Sequence, residues 1–358
     1  MKTLSGEDDR GRGRQGNSPR RPTMKDVAAV AGVSLATVSR VTSGSGEVRP
    51  ELAARVRDAV ELLGFRRDLT ASTLRRADRL SASVGLVFED VSNPFFAAVH
   101  RGVEEVARAR GVLAFAGSSD DDDGRERELC AAFAARRVDG LIVAPCGDDQ
   151  SYLQRDRAAG VVLVFVDRPP RFIDADSVVS DNVAGTRAAT AHLVAAGHRR
   201  IGFLADRHYV FTAAERLRGY RDELFESGIA LDPALERLDL TDSAVAADAV
   251  RDLLVGADPP TALLTAQNLI TVGALHVLRD LGLERQVALV GFDDVMLGDL
   301  IEPGVTVVAQ DPIAMGRSAA ELLFSRLDGF DGSSRQVVIP TTLVQRGSGE
   351  LSPVAQSA

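Results

Sequence analysis

Side chains with acid–base or hydrogen-bonding chemistry follow a series of short apolar runs in this chain. They are Asp90 to Asn93, Asp167, Asp206, Gln267-Asn268, Asp293 and Gln310. In open α/β sheets, ligands bind beyond the carboxyl ends of the strands. If the apolar runs form parallel strands, these carboxylates and amides meet at one edge, where they would bind a small polar molecule.

A pair of histidines and a run of aspartates could in principle bind a metal ion, but their spacing does not favour it. His192 and His198 have no further ligand at metal-binding spacing, so we expect them on a helix surface or at a helix end. The run Asp120 to Asp123 is interpreted as a solvated loop. Only Asp120, just after a predicted strand, remains a candidate for a ligand pocket.

Motifs of catalysis and of nucleotide binding are also missing. Asp293-Asp294 could form an acid–base pair, but adjacent strand residues point to opposite faces. The sequence contains no GxSxG and no P-loop, and the GxGxxG of residues 11–16 has no strand before it. Cys130 and Cys146 are too few and too far apart for a disulfide framework or a zinc site. We therefore predict no catalytic site, metal site or cofactor.

The elements that must position the polar groups are strands alternating with helices. The apolar runs span residues 84–90, 139–145, 161–167, 200–206, 262–266 and 287–294. Helical patterns span residues 95–110, 182–196, 212–227 and 312–327. Apolar strands alternating with helices indicate parallel sheets covered on both faces. Roughly 270 residues of this pattern exceed one compact sheet, so we expect two α/β lobes.

A different pattern precedes this α/β region. Thr23 and Asp26 have the spacing of a capping box, and Gly32 can end the helix that follows. Ser34 then caps a second short helix over residues 35–41. Two short helices about a glycine-containing turn predict a helix-turn-helix.

The second helix of this motif carries side chains suited to DNA. They are Leu35, Ala36, Thr37, Ser39 and Arg40. Short hydroxyls contact phosphates, and arginine reads guanine in the major groove. A third helix, from Pro50 to Gly64, would complete a small core.

The distribution of charge agrees with a DNA-binding head on a different kind of body. Residues 1–79 hold 16 basic and 10 acidic side chains, whereas the remainder holds 26 basic and 41 acidic ones. Residues 1–22 are rich in Gly and Arg, and we interpret them as disordered. No apolar run reaches the roughly 18 residues of a membrane helix, so we expect a cytoplasmic protein with no membrane partner.

On these motifs the chain resembles the lactose/purine repressor (LacI–GalR) family. The segments MKDVAAVAGVSLATVSRV and VRPELAARVRDAVELLGF resemble its DNA-binding head. SNPFF, RRVDGLIV, GHRRIGFL, ERLRGY and VALVGFDD resemble segments of its body, so the likeness covers roughly residues 23–347. It implies an α/β fold class: an all-α helix-turn-helix head plus a two-lobed, periplasmic-binding-protein-like body with parallel sheets and three crossovers.

For DNA binding, the resemblance implies a hinge helix that forms on the operator. Leu74 matches the leucine that enters the minor groove, and Ala71 matches an alanine of the same motif. Thr23, Ser34 and Ser43 join the predicted DNA contacts of the second helix, although the family usually has Asn where Ser43 stands. The family also often has Pro-Asn at the position of Arg67-Asp68.

For the effector, the resemblance implies a pocket in the cleft between the lobes. Its residues would be Asn93, Phe96, Asp120, Asp167, Thr212, Arg216, Asn268 and Gln310. Carboxylates, amides and a guanidinium offer paired hydrogen bonds to a polyol. The family often has an aromatic residue where Leu240 stands and Asp where Asn268 stands. Stacking on a sugar would then come from Phe95, Phe96, Tyr209 or Phe211.

These observations predict five segments. They are a disordered tail (1–22), a helix-turn-helix domain (23–66), a hinge (67–81), a two-lobed effector-binding domain (82–347) and a short flexible tail (348–358). The predicted function is a homodimeric, ligand-controlled regulator, a repressor on near-palindromic operator DNA with a sugar effector. Alternatives are a nucleoside or purine effector, or a solute-binding protein or sugar-converting enzyme on the same body.

Overall fold

The computed structural model of the protein describes residues 22–44, 46–66 and 81–353. The chain divides into two compact units, Met1–Arg79 and Leu80–Ala358. We call them the head and the body, and each is described by itself.

Several predictions fall on residues that the structure does not describe. The tail of residues 1–22, apart from Pro22, and the hinge of residues 67–81, apart from Ser81, lie outside the described ranges. Ala71 and Leu74 lie in this hinge, so their predicted contacts with DNA stay predictions.

The head contains three helices. They are α1 (Met24–Ala31), α2 (Leu35–Ser43) and α3 (Pro50–Leu63). The predicted capping box is present, because the Thr23 N–H donates to the Asp26 carboxylate at 2.7 Å. Gly32 follows α1 with φ 61°, a conformation that a side chain would strain. The Ser34 hydroxyl accepts from the Thr37 N–H at 3.1 Å and caps α2.

A small apolar core joins the three helices of the head. Its buried residues are Val27, Ala31, Val38, Val56, Ala59 and Phe65. Ala31 of α1 and Ala59 of α3 have short side chains, which lets these helices approach closely. The predicted three-helix core is therefore confirmed within the described part of the head.

The first lobe of the body is a six-stranded parallel sheet with helices on both faces. In spatial order its strands are β11 (Gln336–Ile339), β5 (Asp176–Ser180), β4 (Val162–Val166), β3 (Gly140–Val143), β1 (Ser83–Phe88) and β2 (Leu113–Ser118). One face carries α4 (Pro94–Ala109) and α11 (Pro312–Leu327), and the other α5 (Asp123–Ala135) and α6 (Gln154–Ala158). Because both faces are covered, the central strands are continuous apolar runs.

The second lobe repeats this architecture. Its strands, in spatial order, are β12 (Thr342–Val344), β10 (Thr306–Ala309), β9 (Ala288–Phe292), β8 (Ala262–Thr265), β6 (Ile201–Leu204) and β7 (Glu236–Arg237). Only β12 pairs in an antiparallel sense within this described sheet. Its helices are α7 (Asn182–Ala195), α8 (Phe211–Glu226), α9 (Ser243–Leu254) and α10 (Asn268–Leu281).

Three connections join the two lobes within residues 81–353. They run from β5 to α7, from β10 to α11 and from β11 to β12. Each lobe is therefore assembled from segments that are far apart in sequence. The two lobes and three crossovers implied by the family resemblance are confirmed.

The end of the described chain differs from the predicted flexible tail. Residues Ser348–Glu350 form a short 3-10 helix, and the Ser348 hydroxyl is buried, donating to the Leu289 carbonyl at 2.6 Å. The Thr306 N–H donates to the same hydroxyl at 2.9 Å. His198 then bonds the Leu351 carbonyl at 2.8 Å. These buried hydrogen bonds attach residues 348–351 to the second lobe, so a tail beginning at residue 348 is wrong.

Candidate functional site

A cavity of about 40 Å³ lies between the lobes of the body. Its lining residues are Glu89, Asn93, Phe95, Phe96, Asp167, Arg168, Asp206, Thr212, Ala213, Arg216, Ala266, Gln267, Asp293 and Gln310. Eight of them lie within two residues of the end of β1, β4, β6, β8, β9 or β10. The structure thus brings together the polar groups that the sequence places at strand ends.

Most of the predicted effector residues meet at this cavity. Those that line it are Asn93, Phe96, Asp167, Thr212, Arg216 and Gln310. Asn268 lies directly behind the lining, because its Nδ2 donates to the Asn93 Oδ1 at 2.9 Å. This bond joins the start of α10 in the second lobe to the start of α4 in the first.

Asp120 does not reach the cavity, which corrects its prediction as a pocket residue. Its exposed side chain pairs with Arg125. Both Asp120 and Asp121 have positive φ, 52° and 56°, so the loop after β2 turns sharply at these residues. As a result the side chain of Asp121, and not that of Asp120, points toward the cleft, where it pairs with Arg168 and Arg207.

Arg216 of α8 is held rigidly at the cavity. It is 4% exposed, its Nε donates to the Asn182 Oδ1, and its Nη1 donates to the Ala266 carbonyl, both at 2.7 Å. Its guanidinium carbon lies 3.8 Å from the centre of the Phe292 ring. Burial lowers the pKa of Arg216, against the opposing charge of Asp293. The Nη2 group has no hydrogen-bond partner within the described chain, so it remains as a donor for a ligand.

Three carboxylates face this guanidinium across the cavity. Asp167 and Asp293 directly follow β4 and β9 with φ 69° and 71°, a strained conformation that is often found at ligand sites. Asp293 accepts from the Gln310 Nε2. Burial raises the pKa of Asp167 to about 6, against the opposing charge of Arg168. Burial also raises the pKa of Asp206, although the Arg207 N–H donates to it at 2.6 Å.

Charged residues that the sequence reasoning missed form a chain from one lobe to the other. Arg168 donates to Glu89 at 2.6 Å and to the Pro145 carbonyl at 3.1 Å, and its Nη1 lies 3.5 Å from Asp121. Asp121 pairs in turn with Arg207 of the second lobe. The available signal was position, because Glu89, Arg168 and Arg207 all follow strands closely.

The aromatic part of the lining comes from one helix end. Phe95 and Phe96 line the cavity, and Phe96 stacks on Phe88 with centroids 5.3 Å apart. Tyr209 and Phe211, the other predicted stacking residues, do not line it. Leu240 is buried in the core of the second lobe.

The remaining chemical candidates have structural surroundings. His198 lies just after the end of α7, one of its two expected places, and is fully buried between the Thr261 hydroxyl at 2.8 Å and the Leu351 carbonyl. His192 bonds Glu350 at 2.8 Å. Asp294 points away from the cavity and pairs with Arg346, as the strand geometry predicts. Within residues 22–44, 46–66 and 81–353, no side chains cluster as metal ligands, and no helix could span a bilayer.

The predicted DNA-contacting side chains of the head lie around α2. The exposed ones are Thr23, Ser34, Leu35, Ala36, Arg40 and Ser43, and the half-buried ones are Thr37 and Ser39. The hydroxyls of Ser34 and Thr37 bond each other at 2.9 Å at the start of α2. The buried Val38 faces the core, so the opposite side of α2 presents small polar groups and Arg40 to solvent. Such a surface can enter the major groove.

Both units resemble known protein families. Residues 23–68 match a family model described as bacterial regulatory proteins, lacI family. Residues 190–349 match one described as periplasmic binding protein-like domain. Over 332 residues the chain is 33% identical to the HTH-type transcriptional regulator GalR of Escherichia coli (strain K12), covering 91% of this chain and 95% of GalR.

Two solved structures are similar over nearly the whole chain. The complex of the transcriptional regulator CelR with cellobiose is 33% identical, with a TM-score of 0.67, and covers 92% of this chain and 100% of that one. The lac repressor dimer bound to operator and the anti-inducer ONPF is 25% identical, with a TM-score of 0.79, and covers 93% and 100%. These relatives are named as regulators or repressors, and none of the three is named as an enzyme.

Proposed function

This chain belongs to the lacI family of bacterial regulatory proteins and is a DNA-binding transcriptional regulator. From that premise we propose that it is a homodimeric repressor, and that a sugar bound in the interlobe cleft controls its affinity for the operator. The observation that carries the effector half of this proposal is the cavity itself. It joins hydrogen-bonding groups of both lobes, so a ligand there would contact both at once.

The proposed operator is near-palindromic. Two heads related by a two-fold axis would contact half-sites about one helical turn apart, roughly 34 Å. The exposed face of α2, with Arg40 near its end, supports major-groove reading. We place this activity in the cytoplasm, because bacterial operators lie there.

A homodimer is supported by exposed apolar side chains on the body. Leu113 and Phe115 of the edge strand β2 are 60% and 48% exposed. Met296, Leu297 and Leu300, which follow β9, are 79%, 61% and 75% exposed. Apolar edge strands and apolar surface loops are prone to association, and a two-fold dimer would cover them on both chains. The similar lac repressor structure is itself a dimer on operator.

A sugar effector is supported by the polar lining and by the relatives. Phe95 and Phe96 offer an apolar surface, and the carboxylates and amides around them offer hydrogen bonds. The similar CelR structure contains cellobiose. A sugar bound between the lobes would change their relative orientation, and with it the hinges and the operator affinity.

Two rival functions are separated by experiment. A nucleoside or purine could occupy the same cleft, and the body alone would also suit a solute-binding protein or a sugar-converting enzyme. The match of residues 23–68 to a DNA-binding family favours regulation over transport and catalysis. We accordingly propose that the protein is not an enzyme.

The decisive measurement is a DNA-binding assay with the full chain on palindromes upstream of its own gene. It should be repeated with sugars and with nucleosides. We expect binding to one palindrome well above that to random DNA, and a change in that binding with a sugar. Equal affinity for operator and random DNA would refute the repressor proposal, and a response to nucleosides alone would replace the sugar.

A further inference from the structure

The charges around the cleft are unbalanced. Four lining residues carry carboxylates, Glu89, Asp167, Asp206 and Asp293, whereas two, Arg168 and Arg216, carry guanidiniums. If all are ionised, the lining has a net charge of −2. Any ligand that enters the cleft meets this field at short range, where the surroundings screen charge poorly.

The two guanidiniums are not equally available to a ligand. Arg168 is 7% exposed and is bonded to Glu89 and to the Pro145 carbonyl, with Asp121 also within 3.5 Å. Its positive charge is therefore already compensated by carboxylates of the protein. Arg216 donates only to neutral oxygens, so it is the one guanidinium of the lining that has no carboxylate within ion-pair distance among the described residues.

Two of the four carboxylates, by contrast, have no cation paired with them among the described residues. Asp206 and Asp293 have no ion-pair partner within the described chain, and each accepts one hydrogen bond from an uncharged donor. Asp167 is 6% exposed and has no side-chain hydrogen bond there; its nearest cation is the Arg168 Nε at 3.6 Å. Buried carboxylates with free lone pairs require a donor from the ligand.

Neutral acceptors of the site point to the same need. The Gln310 Oε1 and the Asn268 Oδ1 are buried, and neither has a hydrogen-bond partner in the described part of the chain. Each of these residues already donates a hydrogen bond through its amide nitrogen, that of Gln310 to Asp293 and that of Asn268 to Asn93. These two oxygens therefore need a hydrogen-bond donor, which a ligand hydroxyl supplies and an ionised carboxylate or phosphate group does not.

From this excess of acceptors and negative charge we infer that the effector is an uncharged sugar that donates its hydroxyl hydrogens to the cleft, and that the site rejects sugar acids and sugar phosphates by charge. The inference rests on the proposed sugar effector. It narrows the effector to one charge class, because repulsion from an unfavourable group discriminates as strongly as a gained contact.

The test compares matched pairs by calorimetry with the full-length protein. The neutral sugars are ribose, galactose, glucose and cellobiose, and their anionic partners are ribose 5-phosphate, galacturonate, glucuronate and cellobionate. We expect at least one neutral sugar to bind, and its anionic partner to bind at least tenfold more weakly. An anion that binds as tightly as its neutral partner, or a panel in which no neutral sugar binds, overturns the inference.

A charge-neutralising variant tests the cause. Asp206→Asn keeps an oxygen for the Arg207 N–H but removes one negative charge from the lining. In this variant the ratio of the dissociation constant of the anion to that of the neutral sugar should fall by at least threefold. The matched control is Asp280→Asn, near the far end of α10, where Asp280 pairs with Arg251. A gap that Asp206→Asn leaves unchanged refutes discrimination by charge.

Operator binding is measured on the same samples. If the sugars fail to bind while the full-length protein still selects its operator, the inference on the effector fails and the DNA-binding half of the proposed function stands. If operator selection fails as well, the proposed function itself is refuted.

Discussion

Replacing Arg216 by alanine should separate effector binding from DNA binding. The side chain lines the cleft and offers its Nη2 group to a ligand, while its other nitrogens bond Asn182 and the Ala266 carbonyl. The variant Arg216→Ala removes this donor without touching the head. We therefore expect a repressor that binds its operator normally and responds only to much higher effector concentrations.

The magnitude follows from the contacts. Loss of a hydrogen bond from a charged donor costs about 1.5–3 kcal/mol, which is roughly a tenfold to hundredfold loss of affinity. The variant also leaves the Asn182 Oδ1 and the Ala266 carbonyl without their Arg216 donor. Each buried oxygen that loses its donor costs about 1–3 kcal/mol of unfolding free energy. The folded state should thus weaken together with the ligand complex.

Calorimetry with the tightest-binding sugar, operator anisotropy and urea unfolding measure the three quantities separately. Arg216→Lys keeps a positive charge but not the planar fork, so it should also bind the sugar more weakly. The control is Arg218→Ala in the same helix, because Arg218 is exposed and, among the described residues, pairs only with Glu215. Unchanged sugar affinity in a folded Arg216→Ala protein removes Arg216 from the site and refutes the reasoning.

Four further variants test other parts of the protein. Arg40→Ala should weaken operator binding by about 1–3 kcal/mol if Arg40 reads a base; equal losses on random DNA would make it a phosphate contact. Leu74→Ala should lose specific binding but keep effector affinity, because an apolar wedge supports a bent operator; an unchanged footprint and bend would contradict the hinge prediction. Asp176, buried with Arg326 and Arg335, has its pKa lowered to about 2, since their hydrogen bonds outweigh the opposing effect of burial. The charged Asp176 therefore adds about 2 kcal/mol to the unfolding free energy above pH 4, and this stabilisation is lost as the pH falls towards 2. Asp176→Asn should lower the unfolding free energy at pH 7 but much less at pH 2. The pKa of Asp167 is raised to about 6, so the folded protein loses stability as the pH rises from 4 to 6 and this buried carboxyl becomes charged. Asp167→Asn should therefore raise the unfolding free energy by about 2–3 kcal/mol at pH 8 and hardly change it at pH 4. Equal effects at the two pH values would contradict this prediction.

The parallel sheets were predictable because their central strands are buried on both faces. The apolar run of residues 84–90 predicts β1, found at Ser83–Phe88, and of the polar residues expected after it Asn93 lines the cavity, whereas Glu89 lines it without having been expected there. The strand β2, at Leu113–Ser118, was expected only from the position of Asp120 after it and is not one of the continuous apolar runs, because it is an edge strand with exposed positions.

The pairing of charges across the cleft could not be predicted in this way. Asp121 and Arg168 come from two loops of the first lobe, and Arg207 comes from a loop of the second lobe that meets them only when the lobes approach each other. The choice between Asp120 and Asp121 depended on two positive φ angles in a run of four identical residues. A repeated side chain carries no periodicity, so the sequence does not tell which carboxylate turns inward.

The contacts that cross the interlobe cleft have a consequence for the speed of the response. The Asn93–Asn268 and Asp121–Arg207 contacts each join one lobe to the other beside the cavity. A sugar bound between the lobes would leave when the lobes part and these contacts break, so lobe opening would limit its release. The lifetime of the sugar-bound form would then be set by how often the lobes open. Transcription would respond to a falling sugar concentration with a delay.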